Sequence, residues 1–164
     1  MATANKNLSE YNPGSIPDAS AFKFGIVVSE WNHDVTEALL DGAHRTLLKH
    51  GAKPEHIYIS RVPGSFELTL GAHLLAINRK LDAILCLGCI IQGETPHFTF
   101  ICQSVAQGIT QLNITHTLPV VFGVLTTQNL QQALDRAGGK HGNKGDEAAI
   151  TAIKMAWLKK EMEE

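Results

Sequence analysis

The sequence predicts an α/β domain, a parallel sheet covered by helices on both faces. Short apolar runs of strand length at residues 22–29, 57–62, 83–87 and 119–125 alternate with longer segments whose apolar residues recur at helical spacing. The connections between them are short, and strand–helix–strand units joined this way cross over with one hand into a parallel sheet. The stretch 82–97 sets the pattern: an apolar run, a turn containing Gly88 and Gly93, then a helix start at Thr95 and Pro96.

Residues 1–20 are polar and broken by Pro13, Gly14 and Pro17. They read as a flexible tail ahead of a single domain over 21–164, ordered against a neighbouring subunit, where edge pairing of an added strand would suit them. Strand one ends at Glu30, Trp31 and Asn32, and Val35, Ala38, Leu39, Ala43 and Leu47 mark a helix over 34–50 closed by Gly51. Pro63 and Gly64 end strand two, and Ser65 is placed to cap a helix carrying Phe66, Glu67, Leu70, Leu74 and Leu75. After strand three a helix is expected over 96–113, with Phe100, Ile101, Val105, Ile109 and Leu112 apolar. After strand four Thr127 caps a short helix that stops at Gly138 and Gly139. Past a linker over 140–145, a last helix from Asp146 presents Ile150, Ile153, Ala156 and Trp157 on one face, with Asp146 and Glu147 in its first turn.

Composition narrows the function classes. The 164 residues are 44% hydrophobic and 18% charged, which describes a globular chain with a real core. A net charge of −2 argues against a general nucleic-acid binder. The apolar runs are too short to span a membrane, and no basic segment leads into an apolar one at the N-terminus, so a cytoplasmic protein is expected. Three cysteines suit a reducing compartment. Cys86 and Cys89 form a Cys-x-x-Cys, but the pair begins inside a strand rather than at a helix start, where redox thiols are activated. With only Cys102 left to add, no zinc set is complete, and the favoured reading is small hydrophobes.

His97 falls in the first turn of a helix at the carboxyl end of strand three, where open α/β sheets place their ligands. Free N–H groups and the positive helix end there favour an anion such as phosphate. The helix end and a bound anion act on an imidazole in opposite senses, which suits a group that passes protons. An ordinary exposed first-turn histidine is the alternative. Around it, the strand ends gather Trp31 and Asn32; Ser65, Phe66 and Glu67; Cys89 to His97; and Phe122 to Thr127. Two aromatics, a carboxylate, a histidine and a phosphate-ready turn suit a flat heterocycle and a phosphorylated small molecule. Singly, Trp31 and Phe122 could be core, Glu67 a surface charge and Arg136 a helix C-terminal charge; their shared location raises the joint odds.

At these residues the chain resembles the lumazine synthase family. The resemblance rests on Val62-Pro63-Gly64-Ser65-Phe66-Glu67, on Gly88-Cys89-Ile90-Ile91-Gln92-Gly93-Glu94-Thr95-Pro96-His97-Phe98, on Phe122-Gly123-Val124-Leu125-Thr126-Thr127, and on Arg136-Ala137-Gly138-Gly139-Lys140-His141-Gly142-Asn143-Lys144-Gly145. It runs from about Phe22 to Trp157. It implies a flavodoxin-like three-layer sandwich on a four-stranded sheet, and the condensation of 5-amino-6-(ribitylamino)uracil with 3,4-dihydroxy-2-butanone 4-phosphate without metal or organic cofactor. On this resemblance His97 is the catalytic proton relay. Trp31 stacks on the pyrimidine, Ser65, Phe66 and Glu67 line the ribityl chain, and Cys89, Ile90 and Ile91 contact the heterocycle. Glu94, Thr95 and Arg136 hold the phosphate, Phe122 closes the pocket from a neighbouring subunit, and Asn32 and Lys144 are further candidates.

The resemblance also implies pentamers with sites between subunits, an icosahedral shell suggested by the short 138–145 linker, and riboflavin synthase as a candidate partner. Two positions depart from the family pattern. Gln92 stands where a basic residue is common, which shifts phosphate recruitment towards Arg136, and Trp31 replaces a frequent phenylalanine, which strengthens stacking. Three rival classes are a flavin-binding paralogue, a purely structural shell and a thiol redox protein; none accounts for all four motifs.

Overall fold

In the computed structural model, which describes residues 7–163, the central strands are those that the sequence marks as most apolar. In chain order the elements are β1 (Phe24–Ser29), α1 (His33–Lys49), β2 (Ile57–Val62), α2 (Leu68–Asn78), β3 (Ala83–Ile91), α3 (His97–His116), β4 (Val120–Thr127), α4 (Leu130–Leu134), β5 (Ala137–Gly139), β6 (Gly142–Asn143) and α5 (Lys144–Glu163). The first four strands form one parallel sheet in the order β2-β1-β3-β4. The chain therefore steps one way from β1 to β2 and the other way from β1 to β3, and this reversal opens a crevice at the strands' carboxyl ends.

Every residue of β1 is buried, and so are eight of the nine in β3, because helices cover both faces. Side chains alternate between the faces. Phe24, Ile26, Val28, Leu85 and Leu87 pack against Leu39 and Leu47 of α1 and Ile153 of α5. Val27, Ile84 and Cys86 pack against Leu68 and Ala72 of α2 and Val105 and Ile109 of α3. The three-layer α/β sandwich is thus the architecture observed.

Several local expectations are corrected. Strand three does not stop at Leu87: β3 runs through Gly88, paired with Val124, to Ile91. A Cβ on Gly88 would come within 2.7 Å of Ser65 Oγ and 2.9 Å of Leu68 Cδ1, so glycine serves close packing here rather than a turn. Thr127 is not a cap but the end of β4; Asn129 caps α4 by accepting from the Gln132 N–H at 2.9 Å. Ser65 does not cap α2 either, because a 3-10 turn over Ser65–Glu67 precedes the helix. Within α2, Leu68, Ala72 and Leu75 form the buried face while Leu70 and Leu74 are exposed. Pro96, not Thr95, is the residue before the first turn of α3. The 140–145 linker folds into the β5–β6 hairpin, and α5 starts at Lys144.

The N-terminal segment reads as loose, yet its described part, 7–20, lies along its own domain. The Leu8 N–H donates to the His141 carbonyl (2.7 Å), the Asn143 N–H to Ser9 Oγ (2.9 Å) and Ser9 Oγ to Asp146 (2.5 Å), while Ala19 is fully buried. Small polar residues here satisfy hairpin and helix-start groups that water would otherwise take. No strand forms before Phe24 among the described residues, and residues 1–6 lie outside them.

The α1–α5 contact depends on two glycines. A Cβ on Gly145 would overlap the Leu39 carbonyl oxygen, and one on Gly42 would lie 2.6 Å from the Asn143 side chain. We expect Gly145→Ala to lower stability by about 1–3 kcal/mol, as overpacking against backbone does; urea unfolding with an unchanged midpoint would contradict this.

Candidate functional site

The β1/β3 reversal opens a cavity of about 640 Å³, within the range of small-molecule sites. Past the end of β1, the Glu30 and Trp31 N–H groups continue pairing with the carbonyls of Val62 (2.8 Å) and Pro63 (3.0 Å). Asn32 then turns left-handed, with φ 61°, a conformation asparagine tolerates better than most residues. Its side-chain amide donates to the Cys89 carbonyl at 2.9 Å, bolting the exit of β1 to β3. The Trp31 indole is left 74% exposed at the cavity edge, and Phe66, 54% exposed, lies on the rim contributed by the turn after β2.

The remaining walls come from Gly64, Ser65 and Glu67, from Cys89, Ile90 and Ile91 at the end of β3, and from Gly93 and Thr95 in the loop beyond. His97 enters from the first turn of α3, with Phe98 and Ile101 beside it. The first turn of a helix leaves N–H groups without helical acceptors; here the His97 N–H reaches Thr95 Oγ1 at 3.4 Å. Eight expected residues besides Asn32 and His97 thus line one cavity: Trp31, Ser65, Phe66, Glu67, Cys89, Ile90, Ile91 and Thr95. Glu94 is exposed in the same loop without lining it.

Among the described residues Ser65 Oγ and, across Gly88, Ser29 Oγ are buried without a hydrogen-bond partner. A buried hydroxyl without a partner is costly, and Ser65, the one of the two that lines the cavity, is suited to accept from or donate to a hydroxylated ligand or a bridging water. Phe98 and Ile101 line the cavity and were missed; their signal is helical spacing around His97.

Three expected residues lie elsewhere. Phe122 is not at the carboxyl end of β4: the register pairs it with Cys86, three positions before Cys89, and only Thr126 and Thr127 end the strand. It shares a smaller hollow of about 260 Å³ with Lys144, whose ammonium meets Glu147 at 2.8 Å. Arg136 lines a third hollow with Thr127, Lys140 and His141, and donates to the Gln132 carbonyl at 3.0 Å. Within one chain, Arg136, Phe122 and Lys144 do not line the cavity that holds His97.

The cysteine pair is split by the sheet. Cys86 packs into the α2–α3 side and Cys89 into the α1–α5 side, so the two sulfurs point to opposite faces and cannot share a bond or an ion. Burial pushes the Cys86 thiol up to about 12 and Cys89 to about 11. Among the described residues no group of three or more His, Cys, Asp or Glu side chains is arranged to hold a metal ion.

Comparison with known proteins shows the family. The family model for 6,7-dimethyl-8-ribityllumazine synthase matches residues 21–160. A 6,7-dimethyl-8-ribityllumazine synthase of Parabacteroides distasonis is 61% identical over 155 residues, covering 94% of this chain and 97% of its own. That of Cytophaga hutchinsonii is 60% identical over 155 residues, with the same coverage of 94% and 97%. That of Porphyromonas gingivalis is 54% identical over 160 residues, covering 98% and 99%.

At mildly alkaline pH the two strand thiols stay protonated, and a thiolate-selective reagent should leave Cys86 and Cys89 untouched until the protein is unfolded. Mass spectrometry finding either one rapidly modified in the folded protein would contradict their placement.

Proposed function

We propose that this chain, which belongs to the 6,7-dimethyl-8-ribityllumazine synthase family and so is a transferase of riboflavin biosynthesis, joins 5-amino-6-(ribitylamino)uracil to 3,4-dihydroxy-2-butanone 4-phosphate. The products are 6,7-dimethyl-8-ribityllumazine, phosphate and water. The observation that carries this reading is the cavity at the β1/β3 reversal, where two exposed aromatics, a buried hydroxyl, a carboxylate and a histidine converge.

Trp31 stacks on the pyrimidine, which a rigid aromatic does at small entropic cost. Ser65 and Glu67 take the ribityl hydroxyls beside Phe66, and Cys89, Ile90 and Ile91 form the wall against the heterocycle. The phosphate rests on the loop at Glu94 and Thr95 and the start of α3. The substrate amine attacks the ketone to give an imine with loss of water. Phosphate then leaves, and ring closure expels a second water. Each step moves protons, and His97, at the mouth of the cavity, relays them. Holding two reactants in register supplies on the order of several kcal/mol of the acceleration.

A second subunit completes the site. Arg136, Phe122 and Lys144 do not line their own chain's cavity, and a neighbour's cavity is the place where a guanidinium, an aromatic and an ammonium would be used. Apolar side chains left open at Ile59, Leu70, Leu74, Ile77 and Ile114 support burial between subunits. The assembly is read as a pentamer, with pentamers closing into an icosahedral shell and riboflavin synthase as a candidate associate. The cytoplasm is the proposed compartment, in keeping with three free cysteines. Among the described residues no helix is long and apolar enough to cross a membrane.

The reading is tested by mixing the purified protein with the two substrates and following the fluorescent lumazine; no acceleration from folded protein would overturn it. His97→Ala should lower kcat by roughly 100-fold while leaving measurable turnover, and complete loss with intact binding would contradict a relay role. Arg136→Ala should raise KM for the phosphorylated substrate by roughly tenfold or more and spare the pyrimidine, as loss of a charge-assisted contact predicts. Equal effects on both substrates would remove Arg136 from the phosphate. Light scattering at assay concentration should report a particle larger than a free pentamer; a pentamer alone would remove the shell.

A further inference from the structure

Away from the cavity, the contact between α2 and α3 holds two imidazoles against each other. His73 of α2 and His116, the last residue of α3, bring Nδ1 and Nε2 to 3.0 Å, with ring centroids 5.1 Å apart and planes inclined at 46°. Both residues are half-buried. Among the described residues neither ring has another hydrogen-bond or ion-pair partner. The pair sits where the helices already touch: a Cβ on Gly108 of α3 would lie 2.7 Å from Thr69 Oγ1 of α2, so their backbones are held close.

A ring-to-ring hydrogen bond requires one nitrogen to carry a hydrogen and the other to offer a lone pair. The same two atoms suit a different bridge. Ring nitrogens bound side by side to one divalent ion, each at about 2.0–2.1 Å, lie roughly 2.9 Å apart at a right angle and roughly 3.3 Å apart at a tetrahedral one. The observed separation of 3.0 Å falls inside that interval. Imidazole is the side chain that borderline transition ions prefer among those present, and no carboxylate pairs with either ring to compete.

We propose that His73 and His116 form a two-histidine site for a borderline divalent transition ion of the Zn²⁺ or Ni²⁺ class, with water completing the coordination. The bridging hydrogen moves to the other nitrogen of its ring, so a neutral pair takes up the ion without net loss of a proton. The ion ties α2 to the C-terminal end of α3, just ahead of the turn into β4 that Asn113 already fastens through two hydrogen bonds to Val120, of 2.9 and 2.8 Å. The site is structural and lies outside the residues assigned to catalysis.

The test titrates the assembled protein with Zn²⁺ by calorimetry and follows Tm, alongside His73→Gln and His116→Gln. The wild type should bind one ion per subunit and melt higher with Zn²⁺, because an ion held only by the folded state stabilises it. Each variant should bind at least tenfold more weakly and lose the Tm shift, and Mg²⁺, which prefers oxygen ligands, should shift none of the three. Circular dichroism and lumazine-forming activity check that the variants remain folded. Variants that bind Zn²⁺ as the wild type does, or a wild type that does not bind it, would overturn the proposal.

Discussion

The structure depends on the parallel pairing of β1 with β3. These two strands are buried on both faces, hold both halves of the core together, and lie on either side of the point where the chain reverses direction across the sheet. The Asn32 amide extends that pairing past the last strand hydrogen bond by gripping the Cys89 carbonyl at 2.9 Å. Everything that lines the cavity hangs from these two strand ends or from the turn after β2. A site mounted on rigid central strands can hold two reactants in register without large loop motions, which suits chemistry that relies more on proximity than on covalent help.

How much of this was legible in the sequence follows from which forces act locally. β2 is observed over Ile57–Val62, the bounds its apolar run and Pro63-Gly64 predict, and α1 begins and ends within one residue of expectation. The cavity wall was legible because its residues cluster beside strand ends that turn chemistry marks out. What was not legible is set by pairing between strands. Gly88 reads as a turn residue, yet it is held in β3 by pairing with Val124 and is kept small by Ser65 and Leu68. Phe122 reads as a site residue at a strand end, but β4 starts late enough to set it opposite Cys86. The face of α2 was misread because this helix is apolar on two sides, and Leu68, Ala72 and Leu75 are buried while Leu70, Leu74 and Ile77 are exposed. Capping at Thr127 lost to two more residues of sheet, with Asn129 taking the role.

The cavity is strong in stacking surface and weak in positive charge. Among the described residues no arginine or lysine lines it, whereas the phosphorylated substrate is an anion. The three residues proposed for the rest of the task line other hollows, Arg136 pinned to the Gln132 carbonyl and Lys144 paired with Glu147. On the proposed reading, in which these three residues serve a neighbour's cavity, a ring of identical copies would let each chain complete the next. Assembly would then be a condition of activity rather than an accompaniment to it.

The most direct test of that account is complementation within mixed assemblies. Subunits carrying His97→Ala and subunits carrying Arg136→Ala, co-expressed and purified together, would be assayed for lumazine formation against each variant alone. Sites shared between neighbours predict that the mixture exceeds the combined activity of the two separate variants, because some sites regain both residues. Activity no greater than that of the separate variants, from assemblies shown to contain both, would mean that each chain builds its site alone and would contradict the account.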